Sequence, residues 1–531
     1  PPIQSGASSG DVMTYDGSKI ALAAPAATLI GETDSASPFL TALGSGAGVA
    51  NTSGARNTAV GYQAFNTNTS GADNVAIGWK ALDANTTGAS NTAVGSASMF
   101  SNTTGNYNTA VSNSSLQNNT TGANNTALGF AALQLSTTAF GNSAVGWEAL
   151  QANTTGGSNT AIGYASLTEN TTASFNTAIG RGALQLNTIG ASNVAVGYQS
   201  LGASTAGGYN VAVGRGALKT NQSSYNTAVG AEALELNTTG INNTAVGFQA
   251  LEVNTTGQEL TAVGGSALES NTSGVRNTAV GYDALAANTT ASQNTAVGVE
   301  ALKLNTTGTG NIAVGYQTLE ANTTGGSNTA VGTQALEFNT TGYENSAFGI
   351  GALAINSTGA NNTAVGTSAL FFNSTALANT AIGDRALFFN STGGSNTATG
   401  SKALYSNTTA SFNTAVGVEA LELNTTGANN VAVGYQALEV NTTGGSNVAV
   451  GWKSLTSNTT ASNNTAVGHS ALRSATTGNT STAIGNQAFY SLNTATGGVA
   501  IGYAAGRSNT TGVNNTFVGQ QSAYYNSTGG S

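Results

Sequence analysis

The stretch NTAVGYDALAANTTASQ, residues 277–293, is followed directly by NTAVGVEALKLNTTGTG, residues 294–310. The position that opens this 17-residue unit recurs at the same spacing from Asn57 to Asn515, except that one copy, residues 210–225, is a single residue short. A fixed period over most of a chain indicates units that each contact only their neighbours in a stack. The sequence therefore predicts a repetitive solenoid built from 17-residue rungs.

Two positions of the unit hardly vary. The third residue is alanine in each copy from Ala59 to Ala500 and becomes Phe517 in the last one, and the fifth is glycine in all copies except at Ser112. A conserved alanine indicates a gap too narrow for another methylene, because protein interiors are close-packed. A conserved glycine indicates close backbone approach or a positive φ. We predict that both positions face a tight interior and that the variable positions lie outside.

The secondary structure of the unit is clear at its start and ambiguous after the glycine. The alternation and β-branched residues of NTAVG predict a short strand. Gly61, Ala64, Phe65 and Asn68 then follow at helical spacing. Stacked strands lie about 4.8 Å apart, whereas packed helices need about 8–10 Å. We therefore predict an all-β fold, a β-solenoid or β-roll, whose second element is either another short strand or a single tight helical turn.

The repeat also divides the chain. LTALG at residues 40–44 is the first copy in register, so residues 1–39 are predicted to be a head or attachment segment. Residues 40–505 are predicted to be the shaft. Residues 506–531 form an altered end, a cap or a transition to another domain, because the last copies lose the apolar ninth residue just where Phe517 enters the alanine position.

Composition argues against several classes of partner. Charged residues make up 7% of the 531 residues, and the net charge of −9 comes from charges scattered singly. Without a basic stripe, nucleic acid is not expected as a partner. No apolar run reaches the roughly 18 residues of a membrane helix, so no membrane insertion is predicted. An interior lined with alanine buries little apolar surface, and self-association as a homotrimer would supply more.

The motifs NVAIG at residues 74–78 and NVAVG at residues 193–197 carry a family resemblance. With the alanine or serine three residues beyond the glycine, Ala81 and Ser200, they resemble the head repeats of trimeric autotransporter adhesins, which are left-handed parallel β-rolls in a homotrimer. The unit is also similar to the Asn-Thr-Ala-Val-Gly arrays of phage-type tail fibres. At 17 residues it is longer than the adhesin unit. The resemblance covers about residues 40–531.

This resemblance implies a function and a location. We expect a non-enzymatic, extracellular fibre shaft on a virion or a cell surface, belonging to a phage tail fibre or a bacterial surface filament. The three chains would be intertwined or side by side, and subunits could also join end to end. The alternative is a trimeric adhesin that binds host or environmental glycans through exposed aromatic residues.

Catalytic chemistry finds little support in the residues. The chain has one histidine and no cysteine, whereas catalysis needs converging titratable groups. His469 lies at the variable position after the glycine and is interpreted as one exposed ring among others. We predict no catalytic residue, no cofactor and no metal site. A polysaccharide-cleaving solenoid is disfavoured for lack of acid–base groups, and ice binding because adjacent threonines point to different faces of a strand.

Aromatic residues recur at the sixth position of the unit. Flat rings on a rigid face can stack on sugars or on another protein. The candidates for glycan or partner binding are Tyr62, Trp79, Trp147, Tyr164 and Trp452. The simpler alternative is that large rings shield the edge of the stack, since Arg181, Thr333 and Asp384 occupy the same position.

The NTT-type triplets have two interpretations. They are sequons for N-glycosylation, with candidate acceptors at Asn68, Asn85, Asn102, Asn153 and Asn254. They could equally form a ladder of side-chain amides bonded from rung to rung, worth about 0.5–1.5 kcal/mol per bond. We favour the ladder, because Ser136, Ser204 and Ala475 replace the asparagine in single copies.

Overall fold

The computed structural model describes two strands near the N-terminus and residues 39–528. Strands β1 (Val12–Tyr15) and β2 (Ile20–Ala23) form an antiparallel pair in which Val12 lies opposite Ala23. Most of the predicted head segment, 1–39, lies outside the described residues, and the proposed domain division remains a prediction. The chain forms two compact units, residues 1–258 and 259–531.

The first unit contains β1, β2 and a stack of parallel strands, each joined to the next by a single rung of chain. Its stacked strands are β3 (Leu40–Leu43), β4 (Asn57–Val60), β5 (Val75–Ile77), β6 (Thr92–Val94), β7 (Thr109–Val111), β8 (Thr126–Leu128), β9 (Ser143–Val145), β10 (Thr160–Ile162), β11 (Thr177–Ile179), β12 (Val194–Val196), β13 (Val211–Val213), β14 (Thr227–Val229) and β15 (Thr244–Val246).

The second unit is a stack of the same kind. Its strands are β16 (Thr261–Val263), β17 (Thr278–Val280), β18 (Thr295–Val297), β19 (Ile312–Val314), β20 (Thr329–Val331), β21 (Ser346–Phe348), β22 (Thr363–Val365), β23 (Thr380–Ile382), β24 (Thr397–Thr399), β25 (Thr414–Val416), β26 (Val431–Val433), β27 (Val448–Val450), β28 (Thr465–Val467), β29 (Thr482–Ile484), β30 (Val499–Ile501) and β31 (Thr516–Val518).

Register within each stack follows the repeat. In the first unit Ala144, Ala161 and Ala178 of successive strands lie directly opposite one another, and all three are fully buried. The predicted all-β solenoid of 17-residue rungs, with alanine inside, is confirmed for both units.

The prediction for the second element of the rung was wrong, because the described residues contain neither a helical turn nor a second strand there. Gln63 and Phe65 have φ angles of 51° and 54°, which a right-handed helix cannot contain. The Phe65 N–H donates to the carbonyl of Ala81 in the next rung. Such backbone N–H groups thus donate to the next rung, whereas in a helix they would donate to carbonyl groups of the same rung. The ninth residue is still fully buried, as Leu82 shows.

The glycine at the fifth position is required on two counts. Gly298 has a φ of +139°, and a Cβ built on it would lie 2.2 Å from the carbonyl oxygen of Gly315 in the next rung. Both the positive φ and the close approach expected from the sequence are therefore confirmed. The glycine itself is only half-buried, so this position packs rung against rung and does not line the interior as predicted.

Asparagine fills the rest of the interior at two positions of the rung. At the first position, Asn57 Oδ1 accepts from the Asn74 backbone N–H of the next rung, at 2.9 Å. At the twelfth, Asn85 Nδ2 donates to Asn68 Oδ1 at 2.8 Å and to the carbonyl of Gly88 at 3.0 Å. Both sets of side chains are buried. Because buried amides must be hydrogen-bonded, this pairing explains why asparagine recurs there.

The twelfth-position ladder is interrupted in single rungs. Ser136 and Ser204 replace the asparagine in the first unit, and the carboxamide oxygens just before them, Asn119 Oδ1 and Asn187 Oδ1, are buried without a hydrogen bond. An orphaned buried acceptor costs about 1–3 kcal/mol. These rungs are therefore local weak points of the stack.

The short rung, residues 210–225, keeps the strand register despite its missing residue. Val211 of β13 still lies opposite Thr227 of β14. Gln222 Oε1 accepts hydrogen bonds from the Thr205 backbone N–H at 3.0 Å and from its hydroxyl at 2.7 Å. In ordinary rungs a threonine carbonyl of the next rung fills this role, so a side-chain amide compensates for the shortened backbone.

At the altered C-terminal end, a small residue at one position of the rung is compensated by a large residue at another. A Cβ on Gly506 would lie 2.5 Å from Cδ2 of Phe517, so the Phe517 ring fills the space that leucine occupies in other rungs. That ring packs edge-on against Phe489, with centroids 5.7 Å apart. The two departures that coincide in the sequence are thus one packing solution.

Candidate functional site

The sixth residue of the rung, here called the aromatic column, follows the glycine and points outward. Positive φ at Gly61 turns the chain out of strand β4, so that the next side chain leaves the sheet. The five predicted binding residues all lie in this column and are between 41% and 53% exposed. They are Tyr62, Trp79, Trp147 and Tyr164 in the first unit and Trp452 in the second.

Rings in successive rungs stack where both rungs carry one. Trp147 stacks on Phe130 with centroids 4.4 Å apart, and Trp452 stacks on His469 at 4.5 Å. These separations match the strand spacing of a parallel sheet. The stacked rings thus cover part of one another, and each stack still leaves a broad exposed surface.

Cations accompany several of these rings. Lys80 Nζ lies 5.2 Å from the centroid of Trp79, and Lys453 Nζ lies 4.8 Å from that of Trp452. Such cation–π contacts are worth about 0.5–1 kcal/mol at exposed sites. An exposed ring beside a cation forms a polar and aromatic surface suited to a ligand with both hydroxyl and acidic groups.

In the first unit the aromatic column borders an open cleft. Tyr164 and Tyr198 lie on its two sides, and Arg181 lies between them, with its guanidinium carbon 5.6 Å and 6.0 Å from the two ring centroids. A second recess beside it is lined by Gln185, Gln199, Gly202 and Lys219, and the first two residues border both recesses. We call this site the 164–219 cleft.

The candidate glycosylation asparagines lie inside the stack. Asn68, Asn85, Asn102, Asn153 and Asn254 are all fully buried. Their side-chain nitrogens, the atoms that a glycan would modify, donate to ladder oxygens or to backbone carbonyls. A glycan on any of them would require the ladder to open at that rung.

Two acidic clusters were missed by the sequence reasoning. They are Glu232, Glu235 and Glu252 in the first unit and Glu419, Glu422 and Glu439 in the second, and each brings three carboxylate oxygens within 4.8 Å of one another. Recurrence of Glu-Ala-Leu-Glu, with a further glutamate 17 residues on, was the available signal. The prediction that no metal is bound remains untested.

The second cluster has perturbed titration. Burial raises the pKa of Glu439, and the nearby Glu419 and Glu422 carboxylates raise it further, while Lys453 opposes them. Gln436 Nε2 donates to both Glu419 and Glu439, at 2.8 Å and 3.2 Å. Like charges on neighbouring rungs thus repel and are held together by a shared amide.

The outward face of the strands, here called the strand face, is the other notable surface. It carries the second and fourth residues of each rung, commonly Thr and Val. The fourth residue is aliphatic in most rungs and stays partly exposed, as with Ile162 at 41% and Ile179 at 37%. Each unit therefore presents a flat, regularly spaced apolar column.

Fold and surface together define the chain as a parallel β-solenoid repeat protein with an exposed aromatic column. Comparisons with family models, curated proteins and solved structures found no match to the chain. Within the described ranges, no helix has the length and apolar character needed to cross a bilayer.

Proposed function

We propose that the chain is a non-enzymatic structural protein, the shaft of an extracellular fibre that assembles as a homotrimer. The observation that carries the proposal is the strand face, where aliphatic side chains repeat at the strand spacing and stay partly exposed. A partner that covers such a face must repeat at the same spacing, and a second copy of the chain does so by construction. Three copies that turn this face towards a common axis would cover all three.

The interior supports self-association. It consists mainly of alanine, one leucine-sized residue and two asparagines per rung. Burial contributes about 25 cal/mol per Å² of apolar surface, so alanine adds little and each chain gains by covering its aliphatic column. Placement outside the cell, on a virion or a cell surface, rests on the resemblance of the repeat to tail fibres and adhesins.

A pair of charge variants tests the assembly. Ile162→Lys with Ile179→Lys places two charges on the strand face, and the matched control, Thr155→Lys with Thr172→Lys, places two on exposed turn positions. By sedimentation equilibrium we expect a trimer for the wild type and the control, and a folded monomer for the strand-face variant. A monomeric wild type at all concentrations would refute self-association. Electron microscopy of native particles tests the location.

A second candidate function is glycan binding by the aromatic column. The half-exposed rings at Trp79 and Trp147, one beside Lys80 and the other stacked on Phe130, favour it. Binding on a glycan array that is lost in the Trp79→Ala and Trp147→Ala variants would support an adhesin. A trimer that binds no glycan would support the fibre shaft and refute the adhesin.

A further inference from the structure

The 164–219 cleft exists because two side chains are missing from the surface of the first unit. Gly182 stands at the seventh position of its rung, where other rungs carry residues such as Gln63. Gly202 stands at the tenth position of the following rung, opposite Gln185 in the rung before it. A Cβ on Gly182 would lie 3.4 Å from Gln185 Oε1 and 3.6 Å from Gln199 Cγ, which is ordinary contact. The recess therefore results from absent side chains, and the backbone there is not distorted.

Arg181 is the charged group at the centre of this cleft. In the described part of the chain its guanidinium makes no hydrogen bond or ion pair, and the charge-related contacts of that group are with the Tyr164 and Tyr198 rings. Arg215, in the same column two rungs later, is instead paired with Glu232. A guanidinium that presents a planar fork of donors without a carboxylate is suited to bind an acid group from outside.

The glutamine amides of the cleft are also unused. Gln117, Gln134 and Gln151 occupy the tenth position of consecutive rungs and bond to one another, at 3.0 Å and 3.1 Å. Gln185 stands between Thr168 and Gly202 in that series. Across the described ranges its amide has no hydrogen-bond partner. Two open amides, at Gln185 and Gln199, can each donate to and accept from a hydroxyl.

Lys219 adds a second cation at the far side of the recess. Its Nζ lies 3.0 Å from Glu235 Oε1, so its charge is already balanced within the protein. Arg181 thus remains as the uncompensated positive charge of the cleft. The ligand should therefore carry its acid group near Arg181 and neutral polar groups elsewhere.

From these observations we propose that the 164–219 cleft binds an acidic saccharide, a short run of sugar units bearing carboxylate or sulfate groups. Arg181 pairs with the acid group, the exposed parts of the Tyr164 and Tyr198 rings contact the apolar faces of sugar rings, and Gln185 and Gln199 bond to hydroxyls. The two tyrosines are two rungs apart, roughly 10 Å at the strand spacing, which suits alternate units of a saccharide chain. An acidic peptide would also pair with Arg181, and the test below separates it from a saccharide. The proposal rests on the second function above and not on trimer assembly.

The test measures binding of tetragalacturonate to the full chain by isothermal titration calorimetry, with its methyl ester as the uncharged match. We expect the acid to bind and the ester to bind at least tenfold more weakly. Arg181→Gln should lower the affinity for the acid at least tenfold, and Arg215→Gln, the matched control, should leave it unchanged. Gly182→Gln fills the recess at a φ of +65° that glutamine adopts at similar positions, and it should abolish binding without removing a binding group.

Other ligands and outcomes separate the alternatives. A sulfated galactan oligosaccharide that binds with the same Arg181 dependence supports the acidic-saccharide class. Equal binding of the acid and the methyl ester, equal binding to the Arg181→Gln variant, or preferential binding of a polyglutamate peptide would overturn it. Failure of all these saccharides to bind a protein that sedimentation shows to be trimeric would refute the cleft and leave the shaft intact. Saccharide binding by a chain that sedimentation shows to be monomeric would support the cleft and refute the trimeric shaft.

Discussion

The glycine at the fifth position offers the sharpest test of how the rungs pack, because a second glycine provides a matched control. Cβ atoms built on Gly298 and on Gly308 would each lie 2.2 Å from the carbonyl oxygen of the next rung's glycine, Gly315 and Gly325 respectively. Only Gly298 has a φ in the positive range, at +139°, while Gly308 lies outside it. Ala291 occupies the position of Gly308 in the preceding rung. The approach to the carbonyl oxygen of the next rung is therefore equal at the two glycines, and the backbone conformation differs.

We expect Gly298→Ala to destabilise the second unit by about 2–4 kcal/mol. Holding alanine at this φ costs about 1–3 kcal/mol. The rungs must also part by more than 1 Å to reach ordinary contact, which begins at 3.4 Å. That movement strains the bond from the Gly315 N–H to the Val297 carbonyl, 2.8 Å long and worth about 1 kcal/mol. Gly308→Ala should cost less than about 1 kcal/mol, because alanine is native to this position in other rungs.

Urea denaturation gives the overall effect, and hydrogen exchange at the Gly315 amide gives the local one, since long repeat arrays need not unfold in one step. One rung already carries a side chain at this position. Ser112 replaces the glycine, keeps a φ of 122°, and the following bond, from Gly129 N–H to the Val111 carbonyl, is 3.0 Å. Equal destabilisation by the two alanine variants would refute the conformational reasoning and leave crowding as the sole cause.

Three further predictions concern the ladder, the C-terminal end and the acidic cluster. Ser136→Asn should raise the urea midpoint of the first unit, adding about 1–2 kcal/mol, because it restores partners on both neighbouring rungs; no gain would mean that water already satisfies them. Gly506→Leu should destabilise the last rungs in hydrogen exchange, and adding Phe517→Ala should recover most of the loss, whereas additive losses would contradict the size exchange. Glu439→Gln should stabilise the second unit near pH 7 by a few tenths of a kcal/mol and give no advantage below about pH 4.

The sign of that pH dependence follows from the raised pKa of Glu439. The folded state binds the proton more tightly than the unfolded state does, so the wild type loses stability as pH rises from the ordinary value of 4.5 through the folded pKa. Glutamine cannot ionise and is spared this loss. A variant whose advantage grew towards acid pH would contradict the sign. Thermal unfolding at several pH values measures it.

The repeat made the stack predictable from the sequence. The course of the backbone within each rung could not be predicted. Ala161 and Gly298 lie where the space for a side chain is small, and the same restriction applies in each copy. It could be deduced from the residue type alone. The rung beyond the glycine was misjudged because Ala64 and Phe65 are spaced as in a helix, while left-handed conformations at Gln63 and Phe65 carry them inward by another route. Non-glycine residues give little sign of a positive φ in their sequence.

The candidate site was predictable in part. Exposure of Trp147 and Tyr164 followed from their variable position in the unit. The 164–219 cleft did not, because it arises from side chains missing at Gly182 and Gly202 in neighbouring rungs, and Arg181 had been noted only as a copy without a ring. Residues 17 apart in the chain are neighbours in the stack. A site such as this cleft is therefore found by comparing the same position in successive rungs, and not by comparing residues that are adjacent in sequence.

The gaps in the amide ladder bear on how such a stack responds to mechanical load. Tension applied along the stacking direction passes through the junctions between rungs in series, so the weakest junction fails first. In the first unit those junctions lie beside Ser136 and Ser204, where a buried oxygen lacks its donor. Single-molecule pulling should therefore show rupture beginning at these two places, with the uninterrupted rungs between them released as blocks.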